Sequence, residues 1–138
     1  IVFAFTCMNT NLLPYIHTKY LRSKDHNMHH QFRRNCCIDC HIPVYMGEFG
    51  CVNRATAREQ AFQQYYLKYY AKLAKTYGVP SIIWDNGAKG AGNEKHAFID
   101  HGTGEYCSPE AKAAIEAMVD SYKNTLSLED VYNSAPKF

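Results

Sequence analysis

Glu48 closes an apolar run, Ile42-Pro43-Val44-Tyr45-Met46-Gly47, with Gly50 just beyond it. Roughly thirty-five residues later a second apolar run, Ser81-Ile82-Ile83, ends in Trp84 and a polar turn, Asp85-Asn86-Gly87. In a parallel α/β barrel the reactive groups stand at the C-terminal ends of the strands, where the βα loops build the site. Two successive strands would then bring a carboxylate and an indole to one rim. That pairing suits carbohydrate chemistry: the carboxylate attacks or stabilises an anomeric carbon, and the indole stacks on a sugar face. Each group has a plainer reading. A strand-end carboxylate beside glycine is often a structural hydrogen-bond acceptor, and a lone Trp is often core. The two motifs at this spacing favour the chemical reading.

The other candidates are weaker. Cys37-Ile38-Asp39-Cys40-His41 matches the C-x-x-C-H pattern of covalent haem attachment, but so short a pattern arises by chance. With His29, His30 and Cys36 the same stretch holds zinc-ligand types, yet no second Cys-x-x-Cys or His-x3-His pair completes a site. These cysteines read as incidental, and no metal or cofactor is expected. Even cysteine parity permits disulfides without establishing them. Tyr65, Tyr66, Tyr69, Tyr70 and Tyr77 have helical spacing and read as packing. Asn53, Arg54, Asp85 and Asn86 lie on the two rim loops, where each either contacts a sugar hydroxyl or shapes a turn. His96 and His101 are expected at the surface.

The elements that must position Glu48 and Trp84 follow from residue 42 onward. An apolar run over 42–47, with Pro near its start, predicts a buried parallel strand. Thr56 with Glu59 three residues on predicts a helix start. The helix should present Phe62, Tyr66, Tyr69 and Leu73 on its buried face, with Lys68, Lys72 and Lys75 elsewhere. Gly78 then supplies a left-handed cap, and Val79-Pro80 prevents continuation. A second strand is expected over 81–84, and the Gly-rich loop 87–107 should contain a hairpin turning at Gly102-Thr103-Gly104. Ser108 and Pro109 open a last helix whose face is Ile115, Met118, Val119 and Tyr122. The stretch 126–138 reads as an irregular tail.

Residues 1–41 differ in character. They hold five of the seven His, four of the six Cys and an irregular basic stretch from Lys19 to Arg34. No period persists there; a strand at 1–6 and a short helix near 28–35 are the elements it allows. A frameshift or unspliced segment ahead of residue 42 would explain so abrupt a change. The chain begins at Ile, a hint of a partial sequence, and its apolar start lacks the basic region and cleavage site of a signal peptide.

With 138 residues the chain is long enough for one domain with a core. A complete (β/α)8 barrel needs roughly 200 or more. Net charge is +2, which gives no pull toward nucleic acid or anionic membranes. No run approaches the roughly twenty apolar residues of a membrane-spanning helix. Strand, helix, strand, loop, helix is the order of a βαβ unit with a parallel sheet. Two or three such strands cannot close a barrel, so the fold class is α/β, read as the last two or three βα units of a TIM barrel.

Pro43-Val44-Tyr45-Met46-Gly47-Glu48-Phe49-Gly50, Arg58 with the tyrosine-rich helix, and Gly78-Val79-Pro80-Ser81-Ile82-Ile83-Trp84-Asp85-Asn86-Gly87 together resemble the C-terminal part of glycoside hydrolase family 5 cellulases. The resemblance spans about residues 42 to 125. It is strongest to the endo-β-1,4-glucanases and xyloglucanases whose seventh strand ends in Gly-Glu-Phe-Gly. It implies that Glu48 is the nucleophile and Trp84 the floor of the subsite at the scissile bond. It further places Lys89 at a neighbouring glucose, with Glu94 its acidic companion; Asn86 joins them as a substrate-binding candidate from its place on the rim loop.

The resemblance also implies a second carboxylate, an acid/base about 5–5.5 Å from the nucleophile, as retention requires. In the family it comes from an Asn-Glu pair on the fourth strand. The Asn93-Glu94 of this chain lies after the second strand instead, and His17-Thr18-Lys19-Tyr20 lacks the family's His-x-Tyr spacing. The expected function is therefore retaining hydrolysis of β-1,4-glucan by a parent enzyme, exported as the family usually is. This chain would carry the nucleophile strand without its partner. The competing expectations are a non-catalytic half-barrel that self-associates through open sheet edges, and a small zinc or haem protein built on residues 29–41.

Overall fold

The computed structural model describes residues 45–137. Five elements follow one another: β1 (Met46–Phe49), α1 (Ala57–Tyr77), β2 (Ser81–Ile83), α2 (Pro109–Lys123) and α3 (Leu128–Asn133). β1 and β2 pair in parallel, with Met46 opposite Ser81 and Phe49 opposite Ile83, and the register shifts between these pairs. The expected strand–helix–strand unit is present. The expected strand start at 42–44, the elements of 1–41 and the zinc or haem motif lie outside the described residues.

The long helix is delimited by its own residues. The Thr56 hydroxyl accepts the Glu59 amide at 3.3 Å and donates to the Glu59 carboxylate at 2.7 Å. At the other end Gly78 sits at φ 65°, and its N–H returns to the Ala74 and Lys75 carbonyls. Only Gly adopts that conformation without a steric cost.

The buried face of α1 differs from the apolar stripe expected. Gln63, Tyr65, Leu67, Ala71 and Lys72 are buried, whereas Phe62, Tyr69 and Leu73 are half-buried. The helix is covered on two sides, by the sheet and by α2 with α3, so one stripe does not describe it. Toward the sheet, Phe49 stacks on Tyr70 with ring centroids 4.1 Å apart. Toward α2, Lys72 is 3 % exposed and donates to the Asn124 carbonyl and side-chain oxygen at 3.0 and 2.8 Å. It thereby satisfies a carbonyl at the end of α2. Burial holds its pKa below the usual lysine value, with Lys75 adding to the effect.

α2 also turns a different face inward. Ala111, Ala114 and Ser121 are buried, Ile115 and Met118 pack at the core margin, and Val119 and Tyr122 are exposed. Small residues let α2 approach α1 closely, and the Ser121 hydroxyl donates across the interface to the Lys68 carbonyl at 2.8 Å. The expected irregular tail contains α3. Its signal is a capping box: Ser127 accepts the Asp130 amide at 3.0 Å, and Asp130 accepts the Ser127 amide at 2.8 Å. Val131 plugs α3 into the core, and the Tyr65 hydroxyl donates to the Tyr132 carbonyl at 3.0 Å.

Candidate active-site rim

Two strand ends and the loops after them build the site. Phe49 packs in the core, and Glu48 precedes it in β1, where the extra residue opposite β2 interrupts the regular alternation of side chains. Ile83 also packs at the core, and Trp84 follows it at the end of β2. The glycine after β1 gives Trp84 room. A Cβ placed on Gly50 would lie 3.3 Å from the Trp84 carbonyl oxygen and 3.6 Å from the Trp84 Cβ. Gly50 therefore clears the space that the Trp84 backbone occupies, and the Trp84 N–H donates to the Phe49 carbonyl at 2.7 Å. Glu48 and Trp84 are both half-buried.

The loops are held by side-chain acceptors and donors rather than by further strands. The Asn53 N–H donates to the Lys95 carbonyl at 2.6 Å, and its Nδ2 donates to the Ala97 carbonyl at 2.8 Å. Its own carbonyl accepts the Gly92 N–H at 2.9 Å, and Gln63 of α1 donates to its Oδ1 at 3.0 Å. One asparagine thus joins the loop after β1, the loop after β2 and the long helix. Asn86 does the same within the second loop. Its Nδ2 donates to the Glu94 carbonyl at 2.9 Å, and its Oδ1 accepts the Ala88 and His96 N–H groups at 3.0 and 3.3 Å.

Asp85 is the densest acceptor. Its Oδ2 takes the Phe98 and Ile99 N–H groups, both at 2.9 Å. Its Oδ1 takes the Gly87 N–H at 2.9 Å and faces His101 Nε2 at 3.2 Å. Burial pushes this carboxyl up, but the three backbone donors and His101 outweigh it and hold the pKa below the usual aspartate value. The hairpin is present, with Ile99 bridged to Tyr106 and the Asp100 N–H donating to the Glu105 carbonyl at 2.8 Å. Asp100 ties its turn by accepting from Gly102 and Thr103 N–H groups and from Lys89.

The carboxylate beside Lys89 is thus Asp100 and not Glu94. Glu94 is exposed, at the left-handed φ of 58°, and contributes its carbonyl to Asn86. His101 is exposed as expected, whereas His96 is buried, with Nδ1 lacking a hydrogen-bond partner among the described residues. The acceptor roles of Asn53 and Asp85 went unresolved in the sequence. Their position after apolar strand ends was visible, but their partners lie ten to forty-four residues away.

The Lys89 contact and the two N–H groups hold Asp100 down to about 2. Folded values below the unfolded one, about 3.9, mean that the stability from Asp85 and Asp100 is complete above that pH and lost as pH falls through the folded values. The melting temperature is therefore expected to fall as pH drops from about 4 toward 2, and Asp100→Asn should flatten that dependence. An unchanged slope in the variant would contradict it.

Among the described residues Cys51 and Cys107 form no disulfide. Burial pushes the Cys51 thiol up to about 12, against the pull of Arg54 and Gln63, so it is packing rather than a nucleophile. Among the described residues no group of three or more His, Cys, Asp or Glu could hold a metal ion, and no helix is long and apolar enough to cross a membrane.

No family model matches the chain. Among curated proteins it is 32% identical over 88 residues to Endoglucanase B of Neocallimastix patriciarum, covering 63% of this chain and 18% of the relative. It is 30% identical over 88 residues to Endoglucanase A of Ruminococcus albus, covering 62% of this chain and 22% of the relative. Among solved structures, a Bacteroidetes-affiliated GH5 cellulase linked with a polysaccharide utilization locus superposes with TM-score 0.67 at 38% identity. That match covers 72% of this chain and 26% of the cellulase. A GH5-4 broad specificity endoglucanase from Bacteroides salanitronis superposes with TM-score 0.58 at 41% identity, over 64% of this chain and 23% of that one. The chain thus spans about a fifth of the curated relatives and about a quarter of these structures. With its two parallel strands joined by α1, the chain is thus similar to a part of the (β/α)8 barrel of glycoside hydrolase family 5 cellulases.

Proposed function

We propose that this chain carries the nucleophile and sugar-platform strands of a retaining endo-β-1,4-glucanase acting on cellulose, xyloglucan or mixed-linkage glucan. The observation that supports the reading is that Glu48 and Trp84 stand at the ends of two adjacent parallel strands, with Gly50 making room for the Trp84 backbone. Glu48 attacks the anomeric carbon, and the Trp84 indole stacks beneath the sugar being cleaved. A second carboxylic acid, supplied by the rest of the barrel, protonates the leaving oxygen and then activates water to release the sugar with retention. No metal or cofactor enters this scheme. Lys89, Glu94 and the second Nδ2 proton of Asn86 contribute hydrogen bonds to neighbouring glucose units. The parent enzyme acts outside the cytoplasm, where its polysaccharide is.

One carboxylate cannot serve as nucleophile and as acid/base together. The purified chain is therefore expected to bind cello-oligosaccharides without releasing reducing sugar. Binding is read from the fluorescence of Trp84, the one tryptophan of the sequence. Reducing sugar released by the chain alone, and abolished by Glu48→Gln, would overturn the division of labour. No response of Trp84 to oligosaccharide would overturn the platform.

A second reading has its own observation. Ile82 of the two-stranded sheet is 57% exposed, and Tyr45 is exposed beside the start of β1. A half-barrel of this kind would bury such a face and its strand edges by self-association. Sedimentation separates the readings, since a stable monomer argues against assembly.

A further inference from the structure

We propose that Asp85 is the positioning residue for the Trp84 indole, anchoring the end of β2 to the hairpin beyond it. On one side Trp84 is fixed by its N–H on the Phe49 carbonyl and by the close approach of Gly50. On the other side β2 has ended at Ile83, so strand pairing no longer constrains the chain. The carboxylate of the next residue takes over that task. It gathers the N–H groups of Phe98, Ile99 and Gly87, with His101 Nε2 as a fourth neighbour.

An aspartate that only shaped its own turn would need the Gly87 contact alone. The Phe98 and Ile99 contacts come instead from thirteen and fourteen residues away, and Phe98 is buried in the core. Because that donor pair is rigid, the Asp85 backbone, and with it the direction in which Trp84 projects, has little freedom. Asp100 provides the contrast. It accepts two N–H groups and Lys89, but all its backbone donors lie within its own turn, and none reaches the strand end. The meaning of this anchoring for substrate rests on the reading of Trp84 as a sugar platform; the anchoring itself does not.

Trp84 is the only tryptophan, so emission excited at the red edge of the absorption, where tyrosine does not absorb, reports on it alone. Asp85→Asn keeps the shape and sets an amide NH2 against at least one of the N–H donors. In that variant, with helix content unchanged by far-ultraviolet dichroism, acrylamide quenching of Trp84 is expected to rise about twofold, as local opening of the strand end predicts. The emission maximum should move to the red and the anisotropy should fall. Asp100→Asn, measured alongside, should leave all three readouts at the wild-type values. Unchanged readouts in Asp85→Asn, or equal changes in Asp100→Asn, overturn the proposal. Should Asp85→Asn fail to fold, His101→Ala decides, because it removes one exposed neighbour of the same carboxylate. It should raise quenching in the same direction to a smaller extent, and no rise overturns the proposal. Cellotetraose titration of the wild type is read separately: a silent titration removes the platform and leaves the quenching result standing.

Discussion

Glu48→Gln, made after residues 45–137 replace the equivalent part of a complete family 5 endoglucanase, is expected to lower kcat on β-1,4-glucan by on the order of 10⁴-fold with KM little changed. Glutamine keeps the size and polarity of the side chain at the end of β1 but cannot form the glycosyl ester. The substitution leaves the proposed platform at Trp84 untouched, so the loss is expected on the chemical step. Steady-state kinetics on a soluble glucan check it. A kcat within about tenfold of the parent chimera would remove Glu48 from the nucleophile role and leave it a structural acceptor. The chimera is needed because the leaving oxygen requires an acid that this chain is not expected to provide.

Phe98→Ala is expected to produce the largest loss of stability, about 3–5 kcal/mol, a large part of what a domain of this size possesses. Phe98 is among the largest fully buried side chains and packs with Phe49, Cys51 and Leu67. The substitution removes a ring where β1, α1 and the hairpin meet, and the surrounding elements cannot all collapse into the gap. Urea unfolding followed by dichroism measures it, and a loss below about 1 kcal/mol would show the site to be far more plastic than its packing implies. The same residue donates its N–H to Asp85, so a repacked ring should also loosen the rim.

The parts of the fold that were legible in the sequence are those set by local chemistry. Thr56 with Glu59, Gly78, and Ser108-Pro109 each mark an end of a helix, and each end lies there in the structure. The face of each helix was not legible. Tyr65 and Lys72 are buried because α2 and α3 cover a second side of α1, and nothing within the helix states that. Lys72 in particular looked like a solvated charge, while its ammonium closes the end of α2 through Asn124. For α2, apolar bulk pointed to Val119 and Tyr122, but the demand for close approach to α1 selected Ala111, Ala114 and Ser121. α3 is marked in the sequence only by its Ser127–Asp130 capping box, because the segment is short and has no apolar period.

The strand-end residues were legible as candidates, since apolar runs ending in Glu48 and Trp84 announce a rim. What holds them was not. Asn53 and Asp85 reach partners set by the return path of the chain, and Lys89 pairs with Asp100 because the hairpin folds back toward it. His96, expected at the surface, is enclosed by the same loop.

The rim network has a consequence for how the molecule is assembled in time. The ties from Asn86 to Glu94, Lys89 to Asp100 and Asp85 to Phe98 close loops of only eight, eleven and thirteen residues. The ties that dock α1 onto α2 and α3 close loops of fifty-two to sixty-seven residues. Short closures cost less chain entropy and form sooner. The corner that follows Trp84 can therefore take shape as a local unit, before the helices have settled around it.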